Sequence, residues 1–157
     1  MEKYDCLRLD HQLCFPLYAC SKEIVRRYKP FLDPLGLTYT QYLVMMVLWE
    51  QSEITVRDLG ERLYLDSGTL TPVLKKLESS GYLERKRCDI DERCVILSLT
   101  EEGNVLKDRA LDVPEKMGRC VPLKPEDAAE LYRLLYGVLG ALQEENDAAQ
   151  PELGGKS

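Results

Sequence analysis

Histidine is nearly missing from this chain, with His11 the only one among 157 residues, and none of the six cysteines (Cys6, Cys14, Cys20, Cys88, Cys94, Cys120) stands in a CxxC pair. A structural zinc site draws four closely spaced Cys or His ligands, so no metal is expected, and no motif calls for a cofactor. Long apolar runs are missing too. The longest, Tyr42 to Trp49, falls well short of the roughly 20 residues that cross a bilayer, and the N-terminus shows no basic-then-apolar leader, so the expected compartment is the cytosol. In that setting no disulfide framework is expected. The cysteines should rest as thiols, and one that is oxidised should be so for a functional reason.

Uniform positive charge is also lacking. The net charge of −6 argues against indiscriminate nucleic-acid binding, yet the charges are segregated. Between Ser67 and Arg87 the bases Lys75, Lys76, Arg85, Lys86 and Arg87 outnumber the acids Glu78 and Glu84, whereas Thr100 to Ser157 holds twelve acids against seven bases. An acidic frame with a locally basic head suits a selective binder of an anionic polymer.

What is present is a dense pattern of helix signals. Apolar positions Leu13, Leu17, Ile24 and Phe31 predict a helix over Leu9 to Leu32 with Asp10 as N-cap, although Pro16 inside it should bend the first turns unless the helix starts later. Thr38 and Gln41 have capping-box spacing, and the YLVMMVLW that follows predicts a helix buried on all sides. Thr55 with Asp58 starts another helix, with Val56, Leu59 and Leu63 on one face. After the turn Leu65-Asp66-Ser67-Gly68 comes a helix ending near Gly81, whose start is open between a cap at Asp66 or Ser67 and one at Thr71 with Pro72 at N1; Asp66 is preferred, with Pro72 tolerated as a slight bend. Val95, Leu97 and Leu99 alternate as one strand face, paired with Tyr82 to Arg87 across a turn at Asp89 to Asp91. Beyond Thr100-Glu101-Glu102 a helix runs to about Met117 with a break at Pro114. A last helix over Glu126 to Glu145 carries Leu131, Leu134, Leu135, Val138, Leu139 and Leu142 as one stripe.

The fold expected is mainly α with a small β-hairpin wing, a winged helix-turn-helix. Two short helices around a tight turn followed by a charged hairpin form a DNA-reading module. Ser67, Thr69, Thr71, Lys75 and Lys76 project from the second helix toward phosphates or base edges, and Arg85, Lys86 and Arg87 approach the backbone from the wing. On the helix alone, a solvated polar face would be the commoner meaning; the wing shifts the weighing. The last stripe exceeds what a small head must cover, so helices from both chain ends are expected to build a homodimer. A single domain is expected over residues 1–145, with its DNA-binding portion at about 38–99, dimerisation helices at about 8–32 and 101–145, and a disordered tail at 146–157.

The run LDSGTLTPVLKKLESSGYLERKR, followed by Asp91-Glu92-Arg93 and Leu99-Thr100-Glu101-Glu102-Gly103, closely resembles the multiple-antibiotic-resistance regulator (MarR) family. The stretch LDHQLCFPLYACSKEIVRRYKPFLDPLGLTYTQYLVMMVLWE resembles its organic hydroperoxide sensing branch, the OhrR repressors. The resemblance covers roughly Leu7 to Pro114. It implies that a peroxide oxidises Cys14 to sulfenic acid, that the oxidised dimer releases a pseudo-palindromic operator, and that Tyr18, Tyr28 and Tyr39 surround the thiol. It also implies that Arg93, oriented by Asp91, enters a minor groove. Some relatives carry a resolving cysteine after the fifth helix, so Cys120 is expected to form a disulfide with Cys14 of the other subunit. Pro16 departs from the family's apolar residue beside the sensing cysteine.

Chemistry and geometry bound these expectations. Only a thiolate attacks peroxide, and thiols at helix N-termini gain thiolate character. Without the resemblance, an unpaired cysteine in an apolar stripe is more often a small core residue. Tyr18 lies one helical turn from Cys14, but Tyr28 lies fourteen residues on, about 21 Å along a straight helix, so only a helix break or a partner chain brings them together. Cys20 is expected to pack in the core and Cys6 to be exposed. Cys88 and Cys94 flank the wing turn, where a disulfide is geometrically possible although incidental placement is the commoner case. Two other functions remain open: a repressor released by a small phenolic ligand, and a thiol peroxidase turning over Cys14 and Cys120. Catalytic peroxide consumption would mark the latter, for which the sequence offers no peroxidase motif; no enzyme is expected.

Overall fold

A computed structural model describes residues 4–88 and 94–149 of the chain, with side chains described as far as 145. The contacts divide it into two compact units, Met1–Cys120 and Val121–Ser157.

The first unit opens with short 3-10 turns at Asp5–Leu7 and Leu9–His11, and its first α-helix, α1, spans Cys14–Leu32. The helix therefore begins after the predicted Asp10 cap. Starting at Cys14 places Pro16 in the first turn, where its missing N–H has no intrahelical partner to lose. A 3-10 turn at Asp33–Leu35, closed by Gly36 at φ 69°, leads into α2, Tyr39–Gln51. Thr38 caps α2 as predicted: its hydroxyl accepts from the Gln41 N–H at 3.3 Å, and the Gln41 side chain accepts from the Thr38 N–H at 2.8 Å. Tyr42, Val44, Met45, Val47 and Leu48 are buried, while Met46 on the same helix reaches solvent.

Strand β1, Glu53–Thr55, was not expected from the sequence; three residues are too few to show a period of two. Helix α3 follows at Val56–Leu63, with the Thr55 hydroxyl accepting from the Asp58 N–H at 3.0 Å, and α4 spans Ser67–Ser79. The C-terminus of α4 closes through Gly81 at φ 79°: the Gly81 N–H donates to the Glu78 carbonyl at 2.9 Å and the Tyr82 N–H to Leu77 at 3.1 Å. These are the two bonds of a Schellman stop, which puts its closing residue in the left-handed region that glycine enters without a Cβ penalty.

The chain then forms β2, Leu83–Arg87, and β3, Val95–Leu99, in an antiparallel sheet of order β1-β3-β2. The register sets Leu83 opposite Leu99, Arg85 opposite Leu97 and Arg87 opposite Val95. Asp91, Arg93 and the turn at 89–93 lie outside the described residues. Helices α5, Glu101–Ala110, and α6, Val113–Cys120, complete the unit, and the expected break near Pro114 appears between them. One apolar core joins α2, α3 and α4 to the sheet through Leu48, Leu59, Leu70, Leu74, Leu77 and Leu97. The second unit contains α7, Pro125–Ala149, which continues past Asn146, where the tail was expected to begin; residues 150–157 lie outside the described ones. The described residues contain no helix long and apolar enough to cross a membrane.

Candidate nucleic-acid interface and thiol sites

Helix α4 stands beside the wing, and the groove between α3, α4 and the wing has a volume of about 790 Å³. Ser67 and Thr71 of α4 line it, with Arg85, Cys94 and Val95 from the wing side. Arg57 of α3 lines it as well, a cation in the supporting helix that lies outside the basic run of α4 and the wing.

The polar side chains of α4 are partly engaged with one another. The Asp66 carboxylate caps the helix as predicted, accepting from the Thr69 N–H at 2.8 Å and from its hydroxyl at 2.9 Å. These Thr69 hydrogen bonds hold the Asp66 carboxyl below the usual carboxylate range. The Thr71 hydroxyl donates to the Ser67 carbonyl at 2.6 Å. An acid thus occupies the helix N-terminus, while Ser67, Lys75 and Lys76 are exposed.

The three wing bases do not share a face. Arg85, opposite buried Leu97, points toward α4, where its guanidinium donates to Glu78 at 2.8 and 2.5 Å. This contact lowers the Glu78 carboxyl from its ordinary range. Arg85 therefore braces the wing against α4. Lys86 lies on the opposite face and pairs with Glu84 at 3.2 Å, and Arg87 is exposed.

Cys14 is the first residue of α1 and is exposed. The segment before it is tied locally, with the Gln12 side chain donating to the Cys6 carbonyl at 2.6 Å and His11 Nδ1 meeting the Asp5 carbonyl at 2.9 Å. Because a carbonyl only accepts, Nδ1 carries the proton in that contact. Tyr18 sits one turn along α1, exposed, with Lys22 Nζ 5.2 Å from its ring centroid. Tyr28 and Tyr39 meet at 4.7 Å between centroids, Tyr42 packs on Tyr28 at 5.9 Å, and Trp49 packs on Tyr42 at 6.1 Å. Burial pushes all three phenols up, with the neighbouring phenols adding to the effect at Tyr39 and Tyr42. Since α1 continues unbroken from Cys14 to Leu32, Tyr28 stays about 21 Å along the axis from the Cys14 of its own chain.

Cys120 is the last residue of α6 and half-buried, and α6 packs against α1. Cys6 is exposed, as expected. Cys20 is exposed too, contrary to the expected core position, because the α1 face that carries it is left open to solvent in the first unit. Leu13 at the N-cap of α1 and Phe15, Leu17, Ile24 and Val25 within it are likewise exposed, and within the second unit so are Leu131, Leu134, Leu135, Val138 and Leu142. Among the described residues no group of three or more His, Cys, Asp or Glu side chains is placed to hold a metal.

A family model described as transcriptional regulator SarA/Rot matches residues 26–110. The organic hydroperoxide resistance transcriptional regulator of Bacillus subtilis is 48% identical over 144 residues, 92% of this chain and 98% of that protein. Two solved structures of AbfR, a protein of Staphylococcus epidermidis, also align. The reduced form bound to DNA matches with a TM-score of 0.75 and 35% identity over 91% of this chain and 98% of that one. The disulfide form matches at 0.63 and 36% identity over 89% and 96%.

Proposed function

The chain belongs to the MarR family of transcriptional regulators, in the branch that responds to organic hydroperoxides, and from that membership we propose that Cys14 is its sensing residue and Cys120 its resolving one. The protein acts as a homodimer on double-stranded DNA, and oxidation of cysteine switches that binding. The observation that carries the assignment to Cys14 is its place as an exposed residue opening α1, with Tyr18 one turn away. A helix N-terminus favours an anion, and the thiolate is the form that attacks a peroxide.

In the proposed sequence the Cys14 thiolate attacks the outer peroxide oxygen, the O–O bond breaks, and the alkoxide leaves as an alcohol after taking a proton. The Cys120 thiol of the other subunit then attacks the sulfenic sulfur, forming the disulfide and releasing water. The exposed apolar side chains of α1 supply surface for dimerisation, as do those of α7 within its own unit. Ser67, Lys75, Lys76 and Arg87 are assigned to the operator, with Thr69 and Thr71 joining once their local hydrogen bonds exchange. Arg85 contributes by holding the wing to α4 as well as by its charge. Arg93, oriented by Asp91, is assigned to the minor groove. The protein works in the cytosol and is not an enzyme.

The test is operator binding by fluorescence anisotropy, before and after stoichiometric cumene hydroperoxide. Wild type should release DNA and Cys14→Ser should stay bound. Cys120→Ser should form the sulfenic acid without the intersubunit disulfide. Release of Cys14→Ser to the same extent as wild type would remove Cys14 from the sensing role.

A further inference from the structure

The second pair of thiols in this protein lies at the wing. Cys88 follows the last residue of β2, Cys94 precedes the first residue of β3, and the register that sets Arg87 opposite Val95 continues to set Cys88 opposite Cys94. The Cys88 N–H donates to the Cys94 carbonyl at 2.9 Å, so the two backbones are already paired. Their Sγ atoms stand 3.1 Å apart. Facing residues of an antiparallel pair keep Cα atoms about 4.5–5.5 Å apart, within the roughly 4.4–6.8 Å that a disulfide spans. Closing from 3.1 Å to a bond of about 2.05 Å needs about 1 Å of side-chain movement and no change of register.

We propose that Cys88 and Cys94 form an intrachain disulfide across the base of the wing turn, a redox couple separate from Cys14 and oxidised by organic hydroperoxide. Cys94 is the residue that meets the oxidant, because it lines the groove shared with Ser67 and Thr71. Its thiolate attacks the outer peroxide oxygen; an S–O bond forms, the O–O bond breaks, and the alkoxide takes a proton and departs as alcohol. The Cys88 sulfur then attacks the Cys94 sulfenic sulfur, the S–S bond forms, and the hydroxide leaves as water with the Cys88 proton. Two thiols and one hydroperoxide thus give one disulfide, one alcohol and one water. Pairing by the hairpin holds the resolving thiol in contact before oxidation, so resolution competes well against further oxidation to the sulfinic acid.

The sensing role of Cys14 is not a premise of this proposal, and the experiment separates the two. Full-length Cys14→Ser/Cys120→Ser protein is treated with stoichiometric cumene hydroperoxide, unfolded in iodoacetamide, and digested with trypsin without reduction. Cleavage after Arg87, Arg93 and Lys107 leaves Cys88 in the peptide 88–93 and Cys94 in the peptide 94–107. The expected result is one species joining these two peptides, two hydrogens lighter than their sum, which dithiothreitol separates. On a non-reducing gel the protein should run as a monomer. The Cys88→Ser version of the same protein should lose the linked species and yield Cys94 sulfenic acid trapped by dimedone. Recovery of both peptides alkylated, of Cys94 as sulfinic acid beside alkylated Cys88, or of a linkage between two chains would each overturn the proposal.

Discussion

Gly103, near the start of α5, gives a sharp test of how the wing is seated. A Cβ built there would lie 2.1 Å from the Tyr82 carbonyl oxygen and 2.8 Å from Leu99 Cδ1. The Leu99 methyl can turn away, but the first obstacle is backbone, and it needs about 0.9 Å of movement to reach even 3.0 Å. That carbonyl is held in place: Tyr82 donates its N–H to Leu77 at 3.1 Å and accepts from the Thr100 N–H at 3.3 Å. The Gly103 carbonyl in turn accepts from Trp49 Nε1 at 2.8 Å. Overpacking against fixed atoms costs about 1–3 kcal/mol, and alanine regains at most about 1 kcal/mol of helix propensity. At 2.1 Å from a backbone atom the upper end of that cost applies, so Gly103→Ala should lose about 2 kcal/mol, a fall in Tm of roughly 4–8 °C for a chain of this size. Gly118→Ala in α6, where the Cβ meets nothing within 4 Å, should gain up to about 1 kcal/mol. The same substitution thus has opposite signs at two helical sites. Urea unfolding at one fixed protein concentration, needed because the protein is a dimer, reads both. A Gly103→Ala midpoint equal to or above wild type would refute the reasoning.

Other perturbations address the interface and the titrating groups. Lys75→Ala should weaken binding across operator sequences alike and flatten the slope of log K against log salt by about 1, the signature of one lost phosphate contact; an unchanged slope removes Lys75 from the interface. Arg93→Ala should lower operator affinity while leaving thiol oxidation intact, and undiminished affinity would end the minor-groove assignment. Glu78→Gln should cost less than about 1 kcal/mol, since the Arg85 pair is about a third exposed. Because Arg85 depresses the Glu78 carboxyl, that contribution is present above the unfolded glutamate value of about 4.3 and disappears as pH falls through the folded value. Wild-type and Glu78→Gln melting temperatures should therefore converge in acid, and parallel curves would count against the brace. Burial raises Tyr28, Tyr39 and Tyr42, so their contribution holds below the ordinary phenol value of about 10 and is lost as pH rises through the higher folded values. Phenolate absorbance should lag behind that of free tyrosine until the protein unfolds.

Most of the helical frame was legible because each helix carries a local signature. Thr38 with Gln41, Thr55 with Asp58 and Asp66 with Thr69 are side-chain caps written within four residues, and Gly81 stops α4 by backbone chemistry that few other residues permit. The misplaced start of α1 has a local cause as well. Asp10 looks like a cap, but Pro16 is accommodated only by a helix that begins a turn later. Strand β1 was illegible because its existence depends on β3, more than forty residues away, which pairs Ile54 with Leu97. Arg85 was read as a DNA contact from its charge alone. Its strand register, opposite a buried leucine, is what directs it to Glu78, and register is a tertiary property that runs of basic residues do not encode.

The continuity of α1 bears on how one thiol can control two reading heads. Cys14 and Tyr28 lie on one unbroken helix, about 21 Å apart along its axis, and Tyr39 is tied to Tyr28 by ring contact. A single chain therefore cannot gather Cys14, Tyr28 and Tyr39 into one pocket, whereas crossing α1 helices of two chains can bring the tyrosine pair of one to the cysteine of the other. Exposure of Leu13, Phe15 and Leu17 beside Cys14 supplies the apolar surface that such a crossing would bury. With Cys14 as the proposed sensing thiol, that arrangement would put its sulfur in the dimer seam, where a shift on oxidation would change the separation of the two α4 helices. Half-sites in such operators lie about 34–36 Å apart, so a rigid change of spacing lowers the affinity of both heads at once. Heterodimers test this. A dimer with Tyr28→Phe and Tyr39→Phe in one chain and Cys14→Ser in the other keeps one copy of each proposed sensing residue but separates them according to chain. If the site is shared, the remaining Cys14 faces the intact tyrosines of its partner, and peroxide should release DNA as it does for a dimer with Cys14→Ser in one chain and no other change. If each chain senses alone, that Cys14 stands beside the altered tyrosines, and release should match the dimer altered at both tyrosines in both chains.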